Sequence, residues 1–218
     1  MNIELLKNIP AGKKITIILR HAERDPIQTM ERAFDALLTE NGKKAAAILG
    51  EKISEFNPYT FYHSPVDRCR ETAESMIKGI SAKNGKADLA GMDLILGAPY
   101  LKGDWKIIAD MVTKQGQEKF IRSWFSGEVS EEIILPLEQS AKKQLSGLIK
   151  QLSNAKINCV NITHDWNIVL LKEYFFGIQH EQDGMPGYLD GMFAYIENEM
   201  VNLFYKNKKT LISIKDLL

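Results

Sequence analysis

Three short polar clusters in this chain gather arginine, histidine and aspartate. They are Arg20-His21-Ala22-Glu23-Arg24, then His63-Ser64 with Arg68 one helical turn further on, then His164-Asp165. An arginine fork matches phosphate oxygens, and a neutral imidazole can attack phosphorus. With a carboxylic acid to protonate the leaving oxygen, the set suits phosphoryl transfer through a covalent phosphohistidine. Phosphate monoesters resist hydrolysis so strongly that enzymes must supply accelerations up to ~10²¹-fold. Dense positive charge around one nucleophile answers that demand. Alone, the RHxxR pattern reads as a solvated basic turn; the two downstream clusters change the reading.

Each cluster follows a run that reads as a strand. Ile15-Thr16-Ile17-Ile18-Leu19 is short, uncharged and largely β-branched; Tyr59 to His63 and Ile157 to Thr163 are similar. If these strands are parallel, their C-terminal ends meet at one sheet edge, where open α/β sheets hold ligands. Helix-like stretches alternate with them: from about Thr39, from Val66 to Ile80, from Leu137 to Leu152 and from Ile168 to Phe176. The class expected is therefore α/β, a three-layer α/β/α sandwich with a mostly parallel central sheet. Further strands are expected at Met92–Leu96, Met192–Ile196, Val201–Tyr205 and Thr210–Ile214. The Gly- and Pro-punctuated stretch at about 97–136 reads as an insertion of loops and short helices that roofs the leaving group, within a single domain spanning 1–218. Its aromatics, Tyr100, Trp105, Phe120, Trp124 and Phe125, exceed what a loop needs; most should pack, and one or two wall a pocket.

At 218 residues the chain is long enough for a sizeable core. Lys+Arg and Asp+Glu both number 28, so a nucleic-acid binder working through a global basic field is excluded, and no run reaches membrane-spanning length. The two cysteines fit neither a disulfide framework nor a metal-ligand spacing. Cys159, in an apolar run, reads as a buried thiol; Cys69, among charges, as the more accessible one. A metal is disfavoured by the arginines around His21 and His164, and no cofactor is expected. The N-terminus has no apolar signal segment, so the expected location is cytoplasmic, although a removed signal would leave the same sequence. Oligomeric state is open.

The motifs resemble those of the histidine phosphatase superfamily. Arg20-His21-Ala22-Glu23-Arg24-Asp25-Pro26 is similar to its RHGxRxP signature, and Leu38-Thr39-Glu40-Asn41-Gly42 with Ala45 to Gly50 to its LTxxG helix. Ser64-Pro65-Val66-Asp67-Arg68 through Thr72-Ala73 is similar to its SPxxRxxxTA segment. His164-Asp165 resembles the HD pair of the acid-phosphatase branch, and Pro186-Gly187-Tyr188 through Glu197 that branch's C-terminal strand. The resemblance spans Lys14 to Glu197 in family order and leans to the acid-phosphatase branch, within a phosphoglycerate mutase-like fold.

The resemblance implies a metal-independent phosphatase acting on a small-molecule phosphomonoester or a phosphorylated macromolecule. His21 would be the phosphorylated nucleophile, Arg20, Arg24, Arg68 and His164 the phosphate ligands, and Asp165 the proton donor. The chain's length is closer to the mutase-like branch, whose donor is a glutamate after the third strand; that region here offers Asp104. A phosphomutase, a phosphohistidine phosphatase or a non-catalytic phosphate binder would use the same pocket.

Ala22 replaces the family glycine: strained if the position needs positive φ, sufficient if it needs only a small residue, and the second is favoured on steric grounds. His63 is either a pocket residue or a strand-end histidine satisfied by backbone. Ser64 either bonds the site or caps the next helix, the commoner role. Glu71 is expected to pair with a base one turn away, Glu23 to salt-bridge a neighbouring arginine, and His180 to be solvated in a polar loop.

Overall fold

A computed structural model describes residues 2–217. Seven strands form one sheet: β1 (Ile15–Arg20), β2 (Tyr59–His63), β3 (Ala87–Met92), β4 (Asn158–Thr163), β5 (Gly191–Glu197), β6 (Met200–Tyr205) and β7 (Lys208–Ser213). Their order is β3-β2-β4-β1-β5-β6-β7. The β3-β2-β4-β1 half is parallel, and each neighbouring pair from β1 to β7 is antiparallel.

Helices α1 (Glu40–Ile53) and α2 (Asp67–Ala82) cover one face; α5 (Leu137–Asn154) and α6 (Asp165–Phe176) cover the other. Short α7 (His180–Asp183) and α8 (Ile214–Leu217) complete the C-terminal part. The strand period of two separates the cores: Ile17, Leu19, Phe61, Val160, Ile162 and Phe193 pack with α1 and α2, while Ile18, Met192 and Ala194 pack with α5 and α6. Both faces of β1 are thus buried, and each such Ile or Leu contributes about 1.5–3 kcal/mol. That anchorage fixes the residues that leave the strand at Arg20. This is the expected α/β/α sandwich.

Thr39 caps α1, its Oγ1 accepting from the Gly42 N–H at 2.9 Å. Gly42 also lies so close to the Glu23 carbonyl that a Cβ would collide with it, which seats α1 against the loop after β1. The third strand lies earlier than expected: β3 occupies Ala87–Met92, and Leu94–Leu96 is a 3-10 turn. As the sheet's edge strand, β3 is mostly exposed, so its sequence lacks the apolar run that marks a buried strand.

The 97–136 stretch holds two full helices, α3 (Trp105–Gln115) and α4 (Gln117–Phe125). Its ends close on each other through a Leu101–Ile134 bridge and a Leu135 N–H donated to the Tyr100 carbonyl at 2.9 Å. Ile108, Phe120, Ile121 and Trp124 bury it against α5 and α6. Its entrance is pinned to the sheet edge: Thr163 Oγ1 donates to the Leu96 carbonyl at 2.6 Å, and Asn167 Nδ2 to the Gly97 carbonyl at 2.7 Å. Among the described residues no helix is long and apolar enough to cross a membrane.

Candidate active site

The parallel register sets the ends of β1, β2 and β4 level: Arg20 pairs with Thr163, and His63 with Ile162. Immediately beyond, the His21 N–H donates to the Thr163 carbonyl at 2.9 Å and the Ser64 N–H to the Ile162 carbonyl at 3.0 Å. His21, Ser64 and His164 therefore leave the sheet side by side, and the first turn of α2 brings in Arg68. These four, with Arg24 and Asp165, line one end of a cavity of about 500 Å³.

His21 is buried, and its Nδ1 lies 2.8 Å from the Ala22 carbonyl. A carbonyl only accepts, so Nδ1 carries the proton and Nε2 keeps its lone pair. Arg68 Nε donates to that Nε2 at 3.1 Å. The same guanidinium reaches His164 Nδ1 at 3.3 Å and donates to the Ala33 carbonyl at 2.8 Å. Arginine has no acceptor, so His164 carries its proton on Nε2, which lies 2.7 Å from Ser64 Oγ. Burial first, then the neighbouring Arg68 charge, push the imidazoles down to about 2 for His21 and about 3 for His164. Both rings are neutral at neutral pH.

Arg20 turns toward Asp165, with an Nη2–Oδ2 distance of 3.1 Å, and donates Nη1 to the Pro186 carbonyl. Its guanidinium covers the Tyr188 ring at 4.4 Å, and that ring centroid is 5.9 Å from His21's. Arg20 is thus behind the cavity wall, which its side chain does not line. Asp165 opens α6 beside His164. Asp104 is exposed, caps α3 through the Lys106 N–H at 2.9 Å, and does not line the cavity.

Ser64 faces the site and bonds His164 rather than capping α2 directly, since the residue at the cap is Val66. His63 is satisfied by the Ser64 carbonyl at 2.8 Å and is not in the wall. Ala22 has no positive φ and buries its methyl with Leu38 and Ala73, so alanine costs no backbone strain. Glu23 accepts from Thr39 Oγ1 rather than from an arginine, and Glu71 accepts from the Leu38 N–H and approaches Lys43 across from α1. Cys69 is fully buried, not accessible, with its thiol pushed up to about 12 by desolvation. His180 is also buried, and since a carbonyl only accepts, its Nε2 carries the proton and donates to the Glu118 carbonyl at 3.1 Å.

The rest of the cavity is mostly apolar: Ile27, Met30, Phe34, Leu101, Trp105 and Trp166 supply most of it, with Asp67 and Gln117 as its polar members. Of the 97–136 aromatics, Tyr100 and Trp105 reach this wall, whereas Phe120, Trp124 and Phe125 pack. Ile27, Met30 and Phe34 are not marked by residue type, because the segment carrying them has no periodicity to reveal a facing direction.

The family model of the histidine phosphatase superfamily (branch 1) matches residues 16–89. That match stops short of His164-Asp165 and does not support the acid-phosphatase branch toward which this motif leans. No curated protein sequence matches the chain. Among solved structures, a mycobacterial hydrolase is similar at a TM-score of 0.61 with 15% identity, over 91% of this chain and 100% of that one. A mycobacterial glucosyl-3-phosphoglycerate phosphatase is similar at 0.55 with 16% identity, over 83% and 89%. A phosphoglycerate mutase from Bacillus anthracis is similar at 0.55 with 14% identity, over 94% and 95%. At these identities the likeness is one of fold.

Proposed function

We propose that this member of the histidine phosphatase superfamily is a metal-independent phosphatase that hydrolyses a phosphomonoester through a phosphohistidine on His21. The observation that carries the reading is the neutral His21 ring, with its Nδ1–H given to the Ala22 carbonyl and its Nε2 lone pair toward Arg68. In the first step Nε2 bonds phosphorus and the P–O ester bond breaks, while Asp165, carrying a proton taken up from solvent together with the anionic substrate, gives that proton to the leaving oxygen. Arg68 Nε shifts from Nε2 to a phosphate oxygen, joined by Arg24. The imidazole gains positive charge as the bond forms, so the Nδ1–H bond to Ala22 strengthens in the transition state and helps catalysis. Water then attacks phosphorus, the P–N bond breaks and returns its electron pair to Nε2, a proton from the water goes to Asp165, and inorganic phosphate leaves.

His164 and Ser64 act together in this scheme. Ser64 Oγ accepts from His164 Nε2–H, leaving its own hydroxyl proton for a phosphate oxygen. Asp165 is preferred to Asp104 as the acid because it lines the cavity and Asp104 does not. Arg20 supports the site chiefly by orienting Asp165.

Quenching the enzyme in alkaline detergent while it turns over a generic aryl phosphate should trap phosphate on His21 that survives base and is released by acid. His21→Ala should lose at least ~10⁴-fold in kcat, and activity should survive chelator. Full activity in that variant sinks the mechanism, and loss in EDTA restored by a divalent ion sinks its metal independence. A mutase would regenerate a phosphoester instead of inorganic phosphate.

A further inference from the structure

Resting on that phosphatase reading, we infer that the site is built for phosphomonoesters whose leaving group is uncharged and apolar, of aromatic size, with Trp105 and Phe34 setting the preference. Beyond the phosphate end, the cavity is walled by Ile27, Met30, Phe34, Leu101, Trp105 and Trp166. The aromatics form a continuous surface: the Phe34 and Trp105 rings are 5.0 Å apart, and those of Trp105 and Trp166 6.0 Å. Phe34 leaves 44% of its surface exposed. A cavity of about 500 Å³ accommodates a phosphate and a ring system together.

The charge inventory argues the same way. Among the described residues, the charged side chains in the wall are Arg24, Asp67, Arg68 and Asp165, and no lysine lines it. Arg24 and Arg68 are committed to the transferred phosphate. A second phosphate or a carboxylate on the leaving group would meet apolar side chains, two carboxylates and, as neutral donors, Gln117 and the Trp105 indole N–H, with no further cation among the described residues, and a buried unpaired charge is heavily penalised. A ring against Trp105 and Phe34 removes apolar surface from water with no such penalty.

Trp105 is held by the first turn of α3, after the Asp104 cap, and its indole N–H is buried without a protein partner. Its contribution is therefore separable into an apolar face and a donor.

The test compares non-hydrolysable ligands, so that binding is read apart from turnover. Calorimetry on the wild-type protein should show 2-phenylethylphosphonate binding roughly 10- to 100-fold more tightly than methylphosphonate, with 3-phosphonopropionate no tighter than methylphosphonate. Trp105→Ala should erase most of that preference while leaving methylphosphonate affinity within about threefold. Trp105→Phe should keep it if the ring face matters and lose part of it if the donor does. Phe34→Ala, at a position 44% exposed and outside the buried core, should weaken it several-fold. Tighter binding of 3-phosphonopropionate, or a phenylethyl preference untouched in both alanine variants, overturns the inference. Hydrolysis of 2-phenylethyl phosphate and glycerol phosphate, whose leaving alcohols are similar in acidity, reports on the phosphatase reading by itself. Its absence with the binding preference intact sinks that reading and leaves the pocket assignment standing.

Discussion

Arg68 stands between two imidazoles at the sheet's C-terminal edge, whereas Arg122 in α4 stands between two carboxylates. The donors of Arg68 end on uncharged acceptors: His21 Nε2, His164 Nδ1 and the Ala33 carbonyl. Arg122 forks onto Glu173 at 2.7 and 3.1 Å and onto Glu181 at 2.5 and 2.7 Å, with His180 Nδ1 3.3 Å from Glu181. Burial lowers the Arg68 pKa, while hydrogen bonds to Glu181 and Glu173 raise that of Arg122 and hold the Glu181 carboxyl down at about 2. The same residue types thus make a site in one place and a strap in the other. A buried cation with neutral partners is poised for an incoming anion, and one saturated by carboxylates ties α4 to α6 and α7. The ligand atoms of Glu173, His180 and Glu181 lie within 4.8 Å of one another, but Arg122 already neutralises them.

Swapping out each arginine tests that contrast most sharply. Arg68→Ala should cost ~10³-fold or more in kcat/KM on an aryl phosphate, and Arg68→Lys should recover little because an ammonium cannot span both imidazoles and the Ala33 carbonyl. Arg122→Ala should leave kcat/KM within about threefold while lowering unfolding free energy by about 2 kcal/mol. That figure lies between the exposed and buried ion-pair ranges, because Glu173 is buried and Glu181 is not. Kinetics and urea unfolding on the two variants check it; an inactive but equally stable Arg122→Ala protein would reverse the assignment.

The ion pair at the edge of the site, Arg20–Asp165, is the intermediate case, since on the proposed mechanism Asp165 must carry a proton that its pairing with Arg20 opposes. Asp165→Asn should slow hydrolysis of an alkyl phosphate by about 10²- to 10³-fold and that of a nitrophenyl phosphate much less, because a good leaving group needs no acid. Asp104→Asn should leave both rates within about twofold, asparagine being an adequate helix cap. If the alkyl-selective loss appears in Asp104→Asn instead, the acid is Asp104.

How much of this was legible in the sequence follows from what each signal measures. β1, β2 and β4 carry apolar runs because they are buried, and their polar exits converge because parallel strands share an end. His21, Arg24, Arg68, His164 and Asp165 were therefore legible as one site. β3 was misjudged because an edge strand need not be apolar. His180 reads as solvated because a polar loop sequence does not say that Glu118 and Phe125, more than 50 residues earlier, will pack against it. Arg20's turn toward Asp165 and Tyr188 was likewise invisible, since it depends on a loop more than 160 residues away. The apolar wall was hidden for a related reason: Ile27, Met30 and Phe34 sit in a loop whose facing direction no periodicity encodes.

The contrast between the two clusters also has a pH signature, smaller than the mutational effects. His21 and His164 are held to about 2 and about 3, well below the ~6.5 of an unfolded histidine. Above pH 6.5 both states hold these rings neutral and the linkage vanishes. As pH falls below 6.5, the unfolded chain takes up protons that the folded site refuses, so stability drops by up to ~1.4 kcal/mol per pH unit for each ring. The decline continues until the folded values are reached. Urea unfolding at pH 7.5, 6.5 and 5.5 samples the onset above the ordinary carboxylate range. His164→Asn, which keeps a polar side chain without a titrating ring, should remove about half of the slope. A wild-type stability that is flat between pH 6.5 and 5.5 would mean that these imidazoles accept protons in the folded state. The nucleophile would then be charged in mild acid, and Arg68 would no longer be the poised cation that distinguishes this cluster from Arg122's.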